Sequence, residues 1–158
     1  MEDTINSFIG DLTSRCVTKK ISLQLVAKPN VKAGTFKCSG FFDGTKLVVA
    51  TGVADWLSIL IHESSHMDQA LEMSPLWAEL DPHIEAVHSW MEDKNYKVKN
   101  KLEAFRGVVG LELDAERRSL RKIARYALPI DKKIYAQKAN SYLFSYTQAM
   151  STRRWFPQ

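Results

Sequence analysis

The chain has 158 residues, a net charge of +4, a pI near 9.1 and 45% hydrophobic residues. That length suits one domain (1–158) with a core of its own, and the mixed charge fits a soluble globular class. The mildly basic balance permits contact with nucleic acid but does not argue for it, because no long Lys/Arg run or Arg-Gly repeat occurs.

The start, "MEDTINSFIG", is acidic and has no cationic region ahead of a long apolar run, so it does not read as a signal peptide. Residues 2–15 instead fit a short helix with Ile5, Phe8, Ile9 and Leu12 on one side. The two cysteines, Cys16 and Cys38, are too few for a disulfide framework and lack C-x-x-C spacing; reduced thiols in a cytoplasmic protein are expected. "KKISLQLVAK" has strand alternation and stops at "PN". Asp43-Gly44 lies between "CSGFF" and "KLVVA", which predicts a hairpin.

From Val53 onward the periodicity is helical. The first helix spans about Ala54 to Met73 and ends at Ser74-Pro75. "SPLWAELDPHIEAVHSWMED" predicts one or two short helices punctuated by Pro82, and "KNYKVKNK" a polar connection. A long helix follows to about Leu128, with Gly107 and Gly110 as places where it can break or start late. The last helix, roughly Asp131 to Met150, carries a stripe of Tyr135, Ala139, Tyr142 and Tyr146. The tail "STRRWFPQ" is basic; Trp56, Trp77 and Trp90 read as core, and Trp155 is unassigned. No apolar run approaches the roughly 18 residues needed to span a membrane.

The chemistry concentrates in "LIHESSH". On a helix His62 and His66, four apart, present both imidazoles on one face, with Glu63 about 100° round. Two neutral imidazoles can hold zinc, and a neighbouring glutamate can reach a water in the open coordination position. The motif alone arises by chance in about one chain in 200 of this composition, so its context must carry the reading. Ile59, His62, His66, Ala70 and Met73 share one arc, which predicts an inward face for the histidines.

A catalytic zinc takes three protein ligands. Glu72 is ten residues after His62, but Gln69 stands where a glycine would have to turn the chain, and along a straight helix Glu72 lies ~15 Å away. In "GLELDAERRSLRKIA", however, Glu112 and Glu116 fall on the same arc as Phe105, Val109, Leu120, Ile123 and Ala127. Buried carboxylates are costly unless paired or metal-bound. We take Glu112 as the ligand and Glu116 as acceptor from the far nitrogen of a ligand histidine; the reversed assignment stays open. The cluster Arg117, Arg118, Arg121, Lys122 and Arg125 reads as a solvated helix face, with nucleic acid or an acidic protein as the alternative.

"HESSH" followed by "ELDAE" on a later helix resembles the gluzincin branch of the zincin metallopeptidases, in which HExxH precedes a ligand glutamate in E-x-x-x-D. The chain departs from that pattern with Glu116 where aspartate is usual and with Asp68 where an apolar residue commonly follows the second histidine. The similarity covers residues 41–128 and includes "KLVVATG", which resembles the edge strand that holds substrate. "ELDAERRSL…LPID" is also similar to small bacteriophage metallopeptidase-like proteins. The resemblance implies an α+β zincin-like fold and a zinc-dependent hydrolase of peptide or protein substrates, with Glu63 as general base. Candidates by type for the oxyanion partner are His83, His88, Tyr126, Tyr135, Tyr142 and Tyr146. The rival expectations are a catalytically inactive zinc-binding protein and a nucleic-acid-associated regulatory module that uses the basic helix.

Overall fold

The computed structural model describes residues 2–34, 36–72, 75–93 and 95–154; Met73, Ser74 and Trp155 lie outside the described residues. Helix α1 (Glu2–Thr18) buries Phe8, Leu12 and Cys16, one per turn on a single face. Five short strands follow: β1 (Ser22–Val26), β2 (Val31–Ala33), β3 (Phe36–Cys38), β4 (Gly40–Phe42) and β5 (Lys46–Ala50). The rest is helical, with α2 (Trp56–Leu71), α3 (Pro75–Glu92), α4 (Lys101–Arg125) and α5 (Lys132–Thr152). The architecture is α+β and mostly helical.

The hairpin at Asp43-Gly44 forms. Phe42 pairs with Leu47 and Phe41 with Val48, antiparallel. Gly44 takes φ +90°, and the Asp43 carboxylate accepts from the backbone N–H groups of Thr45 and Lys46, each at 3.0 Å. The segment expected at the edge is not there. β5 is the centre of the sheet, in the order β1-β5-β4, with β1 parallel to it. Its Leu47, Val49 and Ala50 are fully buried, the apolar run of a strand covered on both faces. The edge next to α2 is therefore β4. Strands β2 and β3 add a small second hairpin that periodicity did not reveal, turning through Gly34 at φ +61°.

Two apolar clusters flank the centre of the molecule. One joins α1, the sheet and α2 through Phe8, Leu12, Leu47, Val49, Leu60 and Ile61, and reaches Ile123 of α4 and Tyr135 of α5. The other joins α3, α4 and α5 through Val87, Phe105, Val108, Tyr146 and Ala149. Helix α4, 25 residues and about 37 Å long, runs through both. Neither of its glycines breaks it. A Cβ at Gly107 would stand 2.7 Å from His83 Cδ2, so this glycine lets α3 approach closely. Pro82 likewise does not divide α3; its ring sits on the exposed side while Leu80 and Val87 are buried. Among the described residues no helix is long and apolar enough to cross a membrane.

The two glycines should separate cleanly on substitution. Gly107→Ala forces a clash and should destabilise by about 1–3 kcal/mol. Gly110→Ala meets only Leu80 Cδ1, at 3.8 Å, and should stabilise by up to ~1 kcal/mol through helix propensity. Urea unfolding of both variants checks the pair.

Candidate metal centre

Where α2 crosses the middle of α4, four ionisable side chains meet. His62 and His66 come from α2, and Glu112 and Glu116 come from adjacent turns of α4. Their side chains are 17%, 12%, 11% and 10% exposed, so the group lies inside the surface but within reach of it. The arc carrying Ile59, His62, His66 and Ala70 is half-buried; the deepest face of α2 is Leu57, Leu60, Ile61 and Ser64. The expected inward stripe is thus the shoulder of the buried face, which suits a site that must admit a ligand.

The two imidazole Nε2 atoms face each other at 3.1 Å. Glu112 Oε2 completes a triangle at 3.4 Å from His62 Nε2 and 3.5 Å from His66 Nε2. Ligand atoms about 2.0–2.1 Å from one tetrahedral ion stand about 3.3 Å apart, so the three spacings fit a single small divalent cation. His62, His66 and Glu112 are the described residues whose donor atoms cluster closely enough to hold one.

The far side of each ring is also occupied. His66 Nδ1 lies 2.9 Å from Gln69 Oε1, and Gln69 Nε2 donates to Leu111 O and to Asp114 Oδ2, both at 2.9 Å. That orientation makes Nδ1 the protonated nitrogen and leaves Nε2 a lone pair. His62 Nδ1 stands 3.1 Å from Glu116 Oε1, close but off the line of a hydrogen bond. Tyr135 holds Glu116 by donating to its Oε2 at 2.6 Å, and Tyr146 reaches Glu112 Oε1 at 3.4 Å. Burial and then the Glu112 and Glu116 carboxylates push the phenols of Tyr146 and Tyr135 up, so both are neutral donors.

The electrostatics ask for positive charge between the rings. Burial alone lowers the pKa of an imidazole, yet Glu112 and Glu116 raise that of His62 well above its ordinary value, and Glu112 raises that of His66. Burial lifts Glu112, but the imidazoles outweigh it and hold the carboxyl well below the usual range. Glu112 Oε2 is buried and has no hydrogen bond. A buried acceptor without a partner costs about 1–3 kcal/mol, and a cation bound in the triangle would satisfy it.

Glu63 stands beside the triangle and not in it. A Cβ on Gly40 of β4 would come within 3.2 Å of its Cγ, and the Phe42 N–H donates to its carboxylate. Burial, the largest influence, raises its pKa; His62 and His66 oppose the rise. Trp77 of α3 packs against His66, ring centroids 6.1 Å apart, and Tyr142 against His62 at 6.2 Å. The other oxyanion candidates are elsewhere: Tyr126 donates to Asp11, His83 packs on Gly107 and His88 is exposed. Glu72 stays out of the group and pairs with Arg118.

Two roles escaped the sequence. Gln69 orients His66 from one turn along the same helix face, a spacing that could have flagged it. The basic cluster is only partly a solvated face. Arg118 bridges Asp114 and Glu72, and Lys122 turns inward to Asp68 Oδ2 at 2.9 Å and Ser64 Oγ at 2.7 Å. Asp68, where an apolar residue was expected, also pairs with Arg15, so its burial is matched by two cations. Searches against family models, curated proteins and solved structures find no match to this chain.

Lys122 gives a signed pH prediction. Burial, with Arg15 and Arg118 nearby, lowers its ammonium to about 8 despite Asp68. Between pH 8 and about 10.5 the unfolded chain binds more protons than the folded one, so this group's contribution to stability rises with pH across that window. The difference between wild type and Lys122→Met, followed by urea unfolding from pH 7.5 to 10, should show that slope, with Lys122→Met flatter.

Proposed function

We propose that the chain is a zinc-dependent peptidase of gluzincin-like design, with His62, His66 and Glu112 as metal ligands. The observation that carries this reading is the triangle of His62 Nε2, His66 Nε2 and Glu112 Oε2, with sides of 3.1, 3.4 and 3.5 Å. Zinc bound there would lower the pKa of its water to about 7 and polarise a substrate carbonyl. Glu63, adjacent and lifted in pKa, is placed to take the water proton and return it to the leaving amine. Glu116 and Gln69 orient the two imidazoles from behind. A peptide would lie along β4, the edge strand on the Glu63 side of the site, whose open backbone groups can pair with an extended chain.

One observation favours a second reading, that of a zinc protein without turnover. The ligands come from the two helices that join the apolar clusters, so the ion would also act as a cross-link.

Zinc should bind at one equivalent per chain, and at a hundredfold excess over Kd should raise Tm by about 5–10 °C. His62→Ala and Glu112→Ala should abolish binding, and Glu116→Gln should weaken it about 10–100-fold; chelator-competition titration measures all three. A Glu112→Ala protein that still binds one zinc tightly would overturn the ligand assignment.

Turnover separates the two readings. Glu63→Gln should retain stoichiometric zinc while cleavage of labelled casein falls about 10²–10⁴-fold. Undiminished cleavage would remove Glu63 as base, and a zinc-loaded wild type that cleaves neither casein nor a peptide library would establish the silent form.

A further inference from the structure

The far side of α2 borders a cavity of about 490 Å³ that shares no residue with the histidine–glutamate group. It opens between α1, the end of α2 and the last turns of α4. Arg15, Arg118, Arg121, Lys122 and Arg125 all line it, against two carboxylates, Asp68 and Glu72. Those two are already engaged. Asp68 serves both Arg15 and Lys122, and Glu72 accepts from Arg118 at 2.7 Å. Among the described residues Arg121 and Arg125 enter no ion pair, and both are exposed. The cavity therefore carries a surplus of cations that the protein itself does not neutralise.

Its walls also offer an apolar surface. Phe8 and Tyr126 meet edge to face, with centroids 5.2 Å apart, and the Arg125 guanidinium lies 5.6 Å from the Tyr126 ring centre. The volume falls in the range of small-molecule sites, about 300–1,000 Å³. Arginine forks match phosphate oxygens in pairs, which an ammonium cannot do, and four of the five cations are arginines.

We propose that this cavity binds a small phosphate-bearing molecule of nucleotide size. Its phosphates would lie across Arg121 and Arg125, with Arg118 and Lys122 behind them, and its organic part against the Tyr126 side. A nucleic-acid strand fits less well. The cations converge on one hollow from two helices and do not track along a groove, and Asp68 and Glu72 would repel a backbone passing through it.

The test is calorimetric titration of the full chain with ATP, with tripolyphosphate and with a twelve-residue oligothymidylate. Arg121→Ala/Arg125→Ala removes two exposed, unpaired side chains and should leave the unfolding midpoint unchanged. ATP should saturate at one site per chain, and the double variant should weaken it about tenfold or more. Tripolyphosphate binding as tightly as ATP would assign the site to the phosphates alone; weaker binding would show that the organic part contributes, and both results support the proposal. It is overturned if neither ATP nor tripolyphosphate saturates, if the double variant binds ATP like wild type, or if the oligonucleotide binds tenfold tighter than ATP.

Discussion

Two imidazoles and two carboxylates are buried together where one helix crosses another, and the rest of the molecule is arranged around that crossing. Ionisable groups removed from water are tolerated only when each finds a partner. Here the partners are drawn from three helices. Gln69 holds one ring, Glu116 stands behind the other, and Tyr135 and Tyr146 reach in from α5 to the two glutamates. The tyrosine stripe of α5 is thus more than packing. It supplies the donors that make two buried carboxylates affordable, and it ties the last helix to the centre of the fold.

Helix α2 is polar on both flanks. One carries the histidines and the other carries Ser64 and Asp68, about 200° further round at two residues' separation. What holds it in place is a band of Leu57, Leu60, Ile61 and Met67 in the main core. Both polar flanks find their partners on α4: Glu112 and Glu116 for one, Lys122 for the other. A slip of α4 by a single residue would turn these side chains by about 100° and undo both sets of contacts at once. Hydrophobic contacts alone accept such slips at modest cost. The paired charges therefore select the register of α4 between its two apolar clusters.

How much of this could be read from the residues alone depended on the range of the interaction. The helical spacing of His62 and His66, the arc shared by Glu112 and Glu116, and the Asp43-Gly44 turn are local patterns, and each element that they predict is present. The position of β5 at the sheet centre is a matter of long-range pairing; a short apolar run such as "KLVVA" reads alike at an edge and in the middle until β1 and β4 are placed beside it. Gly107 misleads for a related reason. Propensity treats a helical glycine as a weak point, whereas here α3 needs the space that it leaves. The inward turn of Lys122 was hidden because nothing in "RRSLRKIAR" says that an aspartate and a serine of α2 lie opposite it.

The distribution of unsatisfied groups bears on what the crossing is for. Among the described residues, the buried side-chain atoms without a hydrogen bond are His62 Nδ1 and Glu112 Oε2, both in this one cluster. Elsewhere buried polar atoms such as Ser119 Oγ and the Gln69 amide are fully engaged. A fold able to satisfy those groups, yet leaving a carboxylate oxygen bare between two ring nitrogens, concentrates its electrostatic cost where a cation can relieve it. The two helices that would share the ion also join the two cores, so occupancy of the triangle and stability of the fold become one linked equilibrium. That linkage requires only the ligand geometry, and it holds whether or not Glu63 goes on to move a proton.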